Sequence, residues 1–142
     1  SMSELFNSGL PMILIPLDAC DTVFLTKPFA ENFRANAKGK LAPWVAEMLD
    51  VYLGNIAPRP QVRVFDPLAA MAVATYGKPG FASLFHTENI KLTVEQSMRT
   101  SGNPDIAGKT KRDDTGAPMQ VCIKAEQSCF DTLFLAPFLS PS

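Results

Sequence analysis

The chain is short of several things that would announce a function. Its 142 residues include one histidine, His86, and three cysteines, Cys20, Cys122 and Cys129, with no Cys-x-x-Cys pair. An odd, scattered cysteine count excludes a disulfide framework and points to a reducing compartment, so a cytoplasmic location is expected. Cys122 and Cys129 lack the histidine and cysteine neighbours of a zinc site, and all three thiols read as small buried apolar residues. Charge is scarce at 19% of residues, with a net value of -1. The single basic cluster, Lys109, Lys111 and Arg112, is followed at once by Asp113 and Asp114. It reads as a solvated strand end or turn, which excludes nucleic acid as a partner. The longest apolar run, Leu10 to Leu17, is broken by Pro11 and Pro16. It falls far short of the roughly 20 residues of a membrane span, and no basic stretch precedes it as in a signal peptide. Neither a GxSxG, an HExxH, a phosphate loop nor a dinucleotide fingerprint is present.

What is present is an ordinary core. Hydrophobic residues make up 46% of the chain, and its length suits one domain that buries about two-thirds of its unfolded surface. A single domain over residues 1–142 is expected, with Ser1-Met2 as a tag remnant or a chosen boundary. Residues 3–8 read as the last turns of a helix that Gly9 terminates. Met12 to Ile15 read as a short strand, apolar on both faces. Thr26-Lys27-Pro28 has the form of a helix start, threonine as cap and proline in the first turn, and it places Phe29 and Phe33 on one face. Leu41 to Leu53 is helical in period, with Leu41, Trp44, Val45, Met48, Leu49 and Tyr52 on a stripe expected to pack in the core. Gln61 to Phe65 is extended, and Asp66-Pro67 opens a second apolar helix to Tyr76, ended by Gly77. Beyond it the period becomes two. Ile90, Leu92 and Val94 form one half-buried strand, and Val121, Ile123 and Ala125 another, both of antiparallel type. The intervening stretch is loop, with room for a strand near Thr110. A last helix, Ser128 to Ala136, turns Phe130, Leu133 and Phe134 to one side. The class is α/β, helices around a short sheet with an antiparallel β appendage.

Three places could carry chemistry. Asp66 stands between an extended segment and a helix, where a carboxylate meets the positive end of the helix dipole. It is either an N-cap, contributing about 1 kcal/mol, or a metal ligand, since calcium recruits loop carboxylates. Asp18, Asp21 and Thr22 follow the apolar strand and read as a turn with side chain-to-backbone hydrogen bonds. His86 reads as a surface or capping residue in a loop.

In order along the chain, three blocks resemble the C-terminal part of the inosine–uridine-preferring nucleoside hydrolases, the N-ribohydrolases. ELFNSGLPMILIPLDACDTV is similar to that family's helix, strand and turn. VFDPLAAMAVA is similar to its His-Asp-Pro/Gly block, and NIKLTVEQS with GKTKRDDTGAPMQVCIKAEQSCFDTLF to its closing strands and last helix. The resemblance spans nearly the whole chain and implies a Rossmann-like fold. It implies hydrolysis of the N-glycosidic bond of purine or pyrimidine ribonucleosides, with calcium held chiefly by an N-terminal DxDxGxDD cluster. Asp66 matches the aspartate that completes the calcium shell. Phe65 occupies the place of the histidine that protonates the leaving base, and a phenyl ring has no proton to give. Cys20 stands for the family's threonine and Asp21 for its histidine. The DxDxGxDD cluster and the ribose-gripping segment with its asparagine and glutamate are missing from this sequence.

Two functions follow as expectations. In the first, the chain is one part of a nucleoside hydrolase, inactive alone, whose partner is the N-terminal half of the same fold. In the second, it is a non-catalytic relative acting as a binding or dimerisation module. Either way an apolar face and a free strand edge favour association.

Overall fold

The computed structural model describes residues 2–54, 61–95 and 108–140. Its elements run α1 (Met2–Phe6), β1 (Ile13–Leu14), α2 (Leu17–Cys20), β2 (Phe24–Thr26), α3 (Lys27–Asn36), α4 (Ala42–Gly54), β3 (Gln61–Arg63), α5 (Phe65–Thr75), α6 (Pro79–Leu84), β4 (Phe85–Val94), β5 (Thr110–Arg112), β6 (Ala117–Ala125) and α7 (Gln127–Leu135), then a 3₁₀ turn over Ala136–Phe138. No helix among the described residues is long and apolar enough to cross a membrane. Most of the stretch expected to loop between the two late strands, residues 96–107, lies outside the described residues, as does Ser1. The chain divides into two compact units, Ser1–Leu14 with Thr87–Cys122 and Ile15–His86 with Ile123–Ser142.

The first unit holds a mixed sheet of order β1-β6-β4-β5. Gly9, at φ 74°, ends the segment that follows α1, a backbone angle glycine adopts without a Cβ clash. β1 lies parallel to β6, with Ile13 opposite Gln120 and Leu14 opposite Val121. β4 and β5 are antiparallel, with Leu92 opposite Arg112 and Val94 opposite Thr110. The alternation in β4 is the expected one: Leu92 is buried and Lys91 exposed. Phe6, Leu92, Met119 and Val121 form the core of this unit, with Met12, Leu14 and Ile90 packed against it. The basic cluster lies on or beside β5 and is neutralised across the ladder, Lys111 to Glu95 at 2.9 Å and Arg112 to Glu88 at 3.3 Å. In the turn into β6 the Asp113 carboxylate accepts from the Thr115 N–H at 2.9 Å and hydroxyl at 2.6 Å. A Cβ on Gly116 would collide with the Leu92 backbone carbonyl.

Three expectations for the strands of this sheet need correction. The antiparallel reading holds for β4 against β5, whereas β6 pairs with β1 in parallel. Met12 to Ile15, read as buried, is half-buried because β1 stands at the end of the sheet order. In β6 the alternation also slips: Cys122 is fully buried and Ile123 is exposed. The strand passes from one compact unit to the other between these two residues, so no single inward face runs its whole length.

The second unit is mostly helical. Thr26 caps α3, its hydroxyl accepting from the Phe29 N–H at 3.3 Å, with proline in the first turn. This is the start that threonine followed by Lys-Pro predicts. Phe29 and Phe33 then meet three phenylalanines from the end of the chain. Ring centroids lie 5.4 Å apart for Phe29–Phe134, 6.5 Å for Phe29–Phe130 and 5.0 Å for Phe33–Phe138. Edge-on pairs such as Phe29–Phe134 and Phe33–Phe138 contribute beyond their buried area. β2 and β3 form an antiparallel pair in which Leu25 opposes Val62. The Gln127 side-chain amide behaves as a further strand residue: its oxygen accepts from the Phe24 N–H at 2.8 Å and its nitrogen donates to the Phe24 carbonyl at 3.0 Å. The short helix α2, in a stretch read as a turn, and α6 are additional elements.

Of the stripe expected to bury α4, Leu49 is buried and Val45 half-buried, while Leu41, Trp44, Met48 and Tyr52 are exposed. Trp44 and Met48 are 68% and 69% exposed, and Val51, outside that stripe, is exposed as well. The buried side is Ala42, Ala46 and Leu49, a narrow face that packs against α3. The reason lies in the sequence. Both sides of this helix are apolar, so the 3.6-residue period locates a helix without choosing its inner face. Small alanines let the two helices approach closely, and Arg34 of α3 pairs with Asp50 of α4 at the exposed rim.

Candidate functional site

β3 delivers the chain to α5, and the junction holds Arg63, Val64, Phe65 and Asp66. Val64 is fixed by burial at 1% exposure and serves as the N-cap, without a side-chain bond. Phe65 and Asp66 are therefore the first two helical residues and Pro67 the third. The expected N-cap role of Asp66 is displaced by two positions, since the buried Val64 sets where the helix begins. Asp66 remains in the first turn, where its charge meets the positive end of the helix dipole.

Around this junction lies a pocket of about 480 Å³. Its walls are largely apolar, with Leu25, Met48, Tyr52, Phe65 and Phe134 among them, and Asp66 and Arg63 are its charged members. One anion, one cation and a set of flat apolar surfaces thus face one cavity. Arg63 is itself paired, since its guanidinium meets the Asp21 carboxylate. Two sequence candidates far apart in the chain are thereby brought together. Asp21 follows α2, α2 packs on α5, and Arg63 links Asp21 to the pocket that Asp66 borders.

The rest of the turn after β1 is structural. The Thr22 hydroxyl accepts from the Ala125 N–H at 2.9 Å and lies 2.7 Å and 3.0 Å from the carbonyls of Ala19 and Ala125, either of which can take its proton. Asp18 sits on the exposed first turn of α2. Burial pushes the Cys20 thiol up, and the neighbouring Asp21 charge adds to the effect, so it is held as the unreactive thiol. Cys129 is raised by the same two causes, with Glu126 as the charge. His86 is not in a loop: it is the second residue of β4, and its Nε2 lies 2.9 Å from a Glu126 oxygen. The Glu126 carboxyl is held low, chiefly by the Lys124 ammonium at 2.6 Å. This exposed triplet is apart from the pocket's lining.

Sequence reasoning missed the pocket's apolar wall and Arg63. The helical period of α4 places Tyr52 and Met48 on the stripe expected in the core, and no local pattern marks Arg63. The feature that could have found it is its spacing of three residues from Asp66 across a strand–helix junction, the place where ends of strands collect ligands in α/β folds.

Among the described residues no three His, Cys, Asp or Glu side chains converge in a way that could hold a metal ion. Calcium takes six to eight oxygens, and Asp66 is the single carboxylate among the described residues that line the pocket. The residues described do not by themselves fit a calcium site.

The architecture is part of the nucleoside hydrolase fold. No family model matches the chain, and no curated protein matches it in sequence. Solved structures do match. The inosine–uridine preferring nucleoside hydrolase from Bacillus anthracis aligns at 18% identity with a TM-score of 0.67, over 96% of this chain and 38% of that one. The purine-preferring ribonucleoside hydrolase from Gardnerella vaginalis aligns at 24% identity and 0.67, over 94% and 41%. A plant nucleoside hydrolase aligns at 13% identity and 0.71, over 99% and 45%. At these identities the likeness establishes the fold alone. This chain spans less than half the length of each of these three proteins.

Proposed function

We propose that this chain is one part of a calcium-dependent nucleoside N-ribohydrolase and does not cleave nucleosides alone. The observation that carries the reading is Asp66, set in the first turn of α5 beside an apolar pocket, with no second carboxylate among the described residues that line it. On this reading, residues beyond the described lining of the pocket bring the remaining oxygens. Hydrolysis of the N-glycosidic bond needs a water directed at the sugar carbon and a way for the base to depart. Tyr52, Met48, Phe65 and Phe134 offer flat or pliable apolar surfaces against which a nucleobase can lie, while Asp66 can hold a cation or accept from ribose hydroxyls. Phe65 cannot protonate the leaving base, so that proton comes from another part of the complete protein or the base leaves unassisted. The test is reconstitution. Mixed with its complementary half and calcium, the chain should release hypoxanthine from inosine or uracil from uridine, and the chain alone should not. Turnover by the chain alone, abolished by a chelator, would refute the reading.

Phe65 favours a second reading, a relative that has lost catalysis and serves as a binding or dimerisation module. This reading predicts a stable self-associated species and no turnover with any complementary half.

A further inference from the structure

We propose that α4 pairs with α4 of a second copy of this chain, antiparallel across a two-fold axis, through the apolar face opposite the one packed on α3. The inference goes beyond the functional reading above and holds whether or not nucleosides are cleaved. Of the fourteen exposed large hydrophobics among the described residues, five lie between positions 41 and 52. Leu41, Trp44, Met48 and Val51 recur at steps of three, four and three. That is the spacing of a narrow seam meeting another helix, rather than of the broader face a helix lays on a core. The side formed by Ala42, Ala46 and Leu49 is separate and packs against α3. Along Trp44, Met48, Val51 and Tyr52 runs an open groove of about 540 Å³. A large side chain of a facing helix can insert there as a knob into a hole.

The exposed area decides the occupant. At exposures of 45–69%, these five side chains present roughly 600 Å² of surface, the aromatic ones bringing about 150–250 Å² each when fully open. Two copies joined here bury about 1,200 Å², which clears the ~1,000 Å² of a specific interface and sits at the weak end of its class. A reversible dimer with a dissociation constant of roughly 10–100 μM follows. A two-fold contact is self-complementary. Run antiparallel, the seam sets Leu41 against Val51 of the second copy and Trp44 against its Met48, so every seam position finds an apolar partner. A parallel pair would instead crowd two tryptophans into one layer. Glu47, the charged member of the groove, comes beside Glu47 of the second copy near the axis, and these like charges keep the dimer weak. Met48 and Tyr52 line both this groove and the pocket beside Asp66, so the second copy reaches the rim of the candidate site.

The test is sedimentation of the full chain from about 1 μM to about 1 mM, a range that spans the expected constant. Monomer should give way to dimer, and the Met48 methyl resonance should shift with the same midpoint. Trp44 should be open to a soluble quencher at the dilute end and shielded at the concentrated end. Trp44→Asp and Met48→Asp, both at exposed side chains, should each weaken the dimer at least tenfold with circular dichroism unchanged. Glu47→Gln should tighten it at least twofold. Val73→Asp, on an exposed position of α5, should leave it unchanged. The proposal fails if the chain stays monomeric throughout, which leaves the face to a different polypeptide. It fails equally if both aspartate variants dimerise like the parent, which puts the contact elsewhere, or if Glu47→Gln does not tighten the pair, which removes the axis from the middle of α4. Dimerisation at α4 without nucleoside cleavage by the reconstituted protein would sink the functional reading and keep this one. Cleavage with a chain that never dimerises would do the reverse.

Discussion

Truncating Trp44 to alanine should leave the stability of this chain almost unchanged. A tryptophan in an apolar helical stripe is ordinarily a core residue, and its removal from a core costs about 3–5 kcal/mol. Here the side chain is 68% exposed on the outer face of α4, and surface truncations usually fall within about 0.5 kcal/mol of zero. Leu49, 5% exposed on the opposite face, provides the contrast: Leu49→Ala should cost about 2–5 kcal/mol. For a chain of this size that corresponds to a midpoint lowered by roughly 8–20 °C, against a shift of about 2 °C or less for Trp44→Ala. Thermal and urea unfolding followed by circular dichroism would measure both. Trp44 is also the one tryptophan in the chain, so quenching of its fluorescence by a soluble quencher reports its exposure directly in the unmutated protein. A loss above about 2 kcal/mol in Trp44→Ala, or a fluorophore shielded from the quencher, would refute the assignment of the inner face of α4.

Further outcomes follow from other contacts. Thr22→Val keeps the shape but strands the N–H of Ala125, buried at 1% exposure, and should cost about 1–3 kcal/mol in urea unfolding. Gly116→Ala should cost a similar 1–3 kcal/mol, because the added methyl meets backbone rather than a yielding side chain. Burial raises the Asp131 carboxyl, and the hydrogen bond from Gln127 only partly opposes this. The folded state thus holds that proton to higher pH than the unfolded chain, and stability falls as pH rises through the interval between the two pKa values. Asp131→Asn should therefore raise the urea midpoint at pH 7 and not at pH 3; a gain confined to low pH would contradict the sign. Calorimetry on the isolated chain should show no calcium binding tighter than about millimolar, as one carboxylate in the pocket allows.

Where local chemistry alone decides the structure, the sequence was readable. Thr26 with Lys-Pro fixes the start of α3, Gly9 and Gly77 follow their helices with positive φ, and the alternation around Leu92 gives a strand. The α/β class and its likeness to nucleoside hydrolases were legible from ordered blocks, no one of which is distinctive by itself. What failed needed partners distant in sequence. α4 is apolar on both sides, so its inner face depends on how α3 meets it. The slip at Cys122 and Ile123 in β6 depends on a division of the chain into units that no local period records. Asp66 was found as a candidate, but its pocket is assembled from β2, α4, β3 and α7. Arg63 acquires its place only because Asp21, 42 residues earlier, reaches it.

The ring cluster joining Phe29 and Phe33 to Phe130, Phe134 and Phe138 governs the order of events during synthesis. The first two emerge from the ribosome about a hundred residues before the others, which at ordinary rates of translation is an interval of roughly 5–20 s. Throughout that interval the apolar side of α3 has no aromatic cover. A premature stop shortly before Phe130 would make that condition permanent and yield a product for chaperones and proteases to clear.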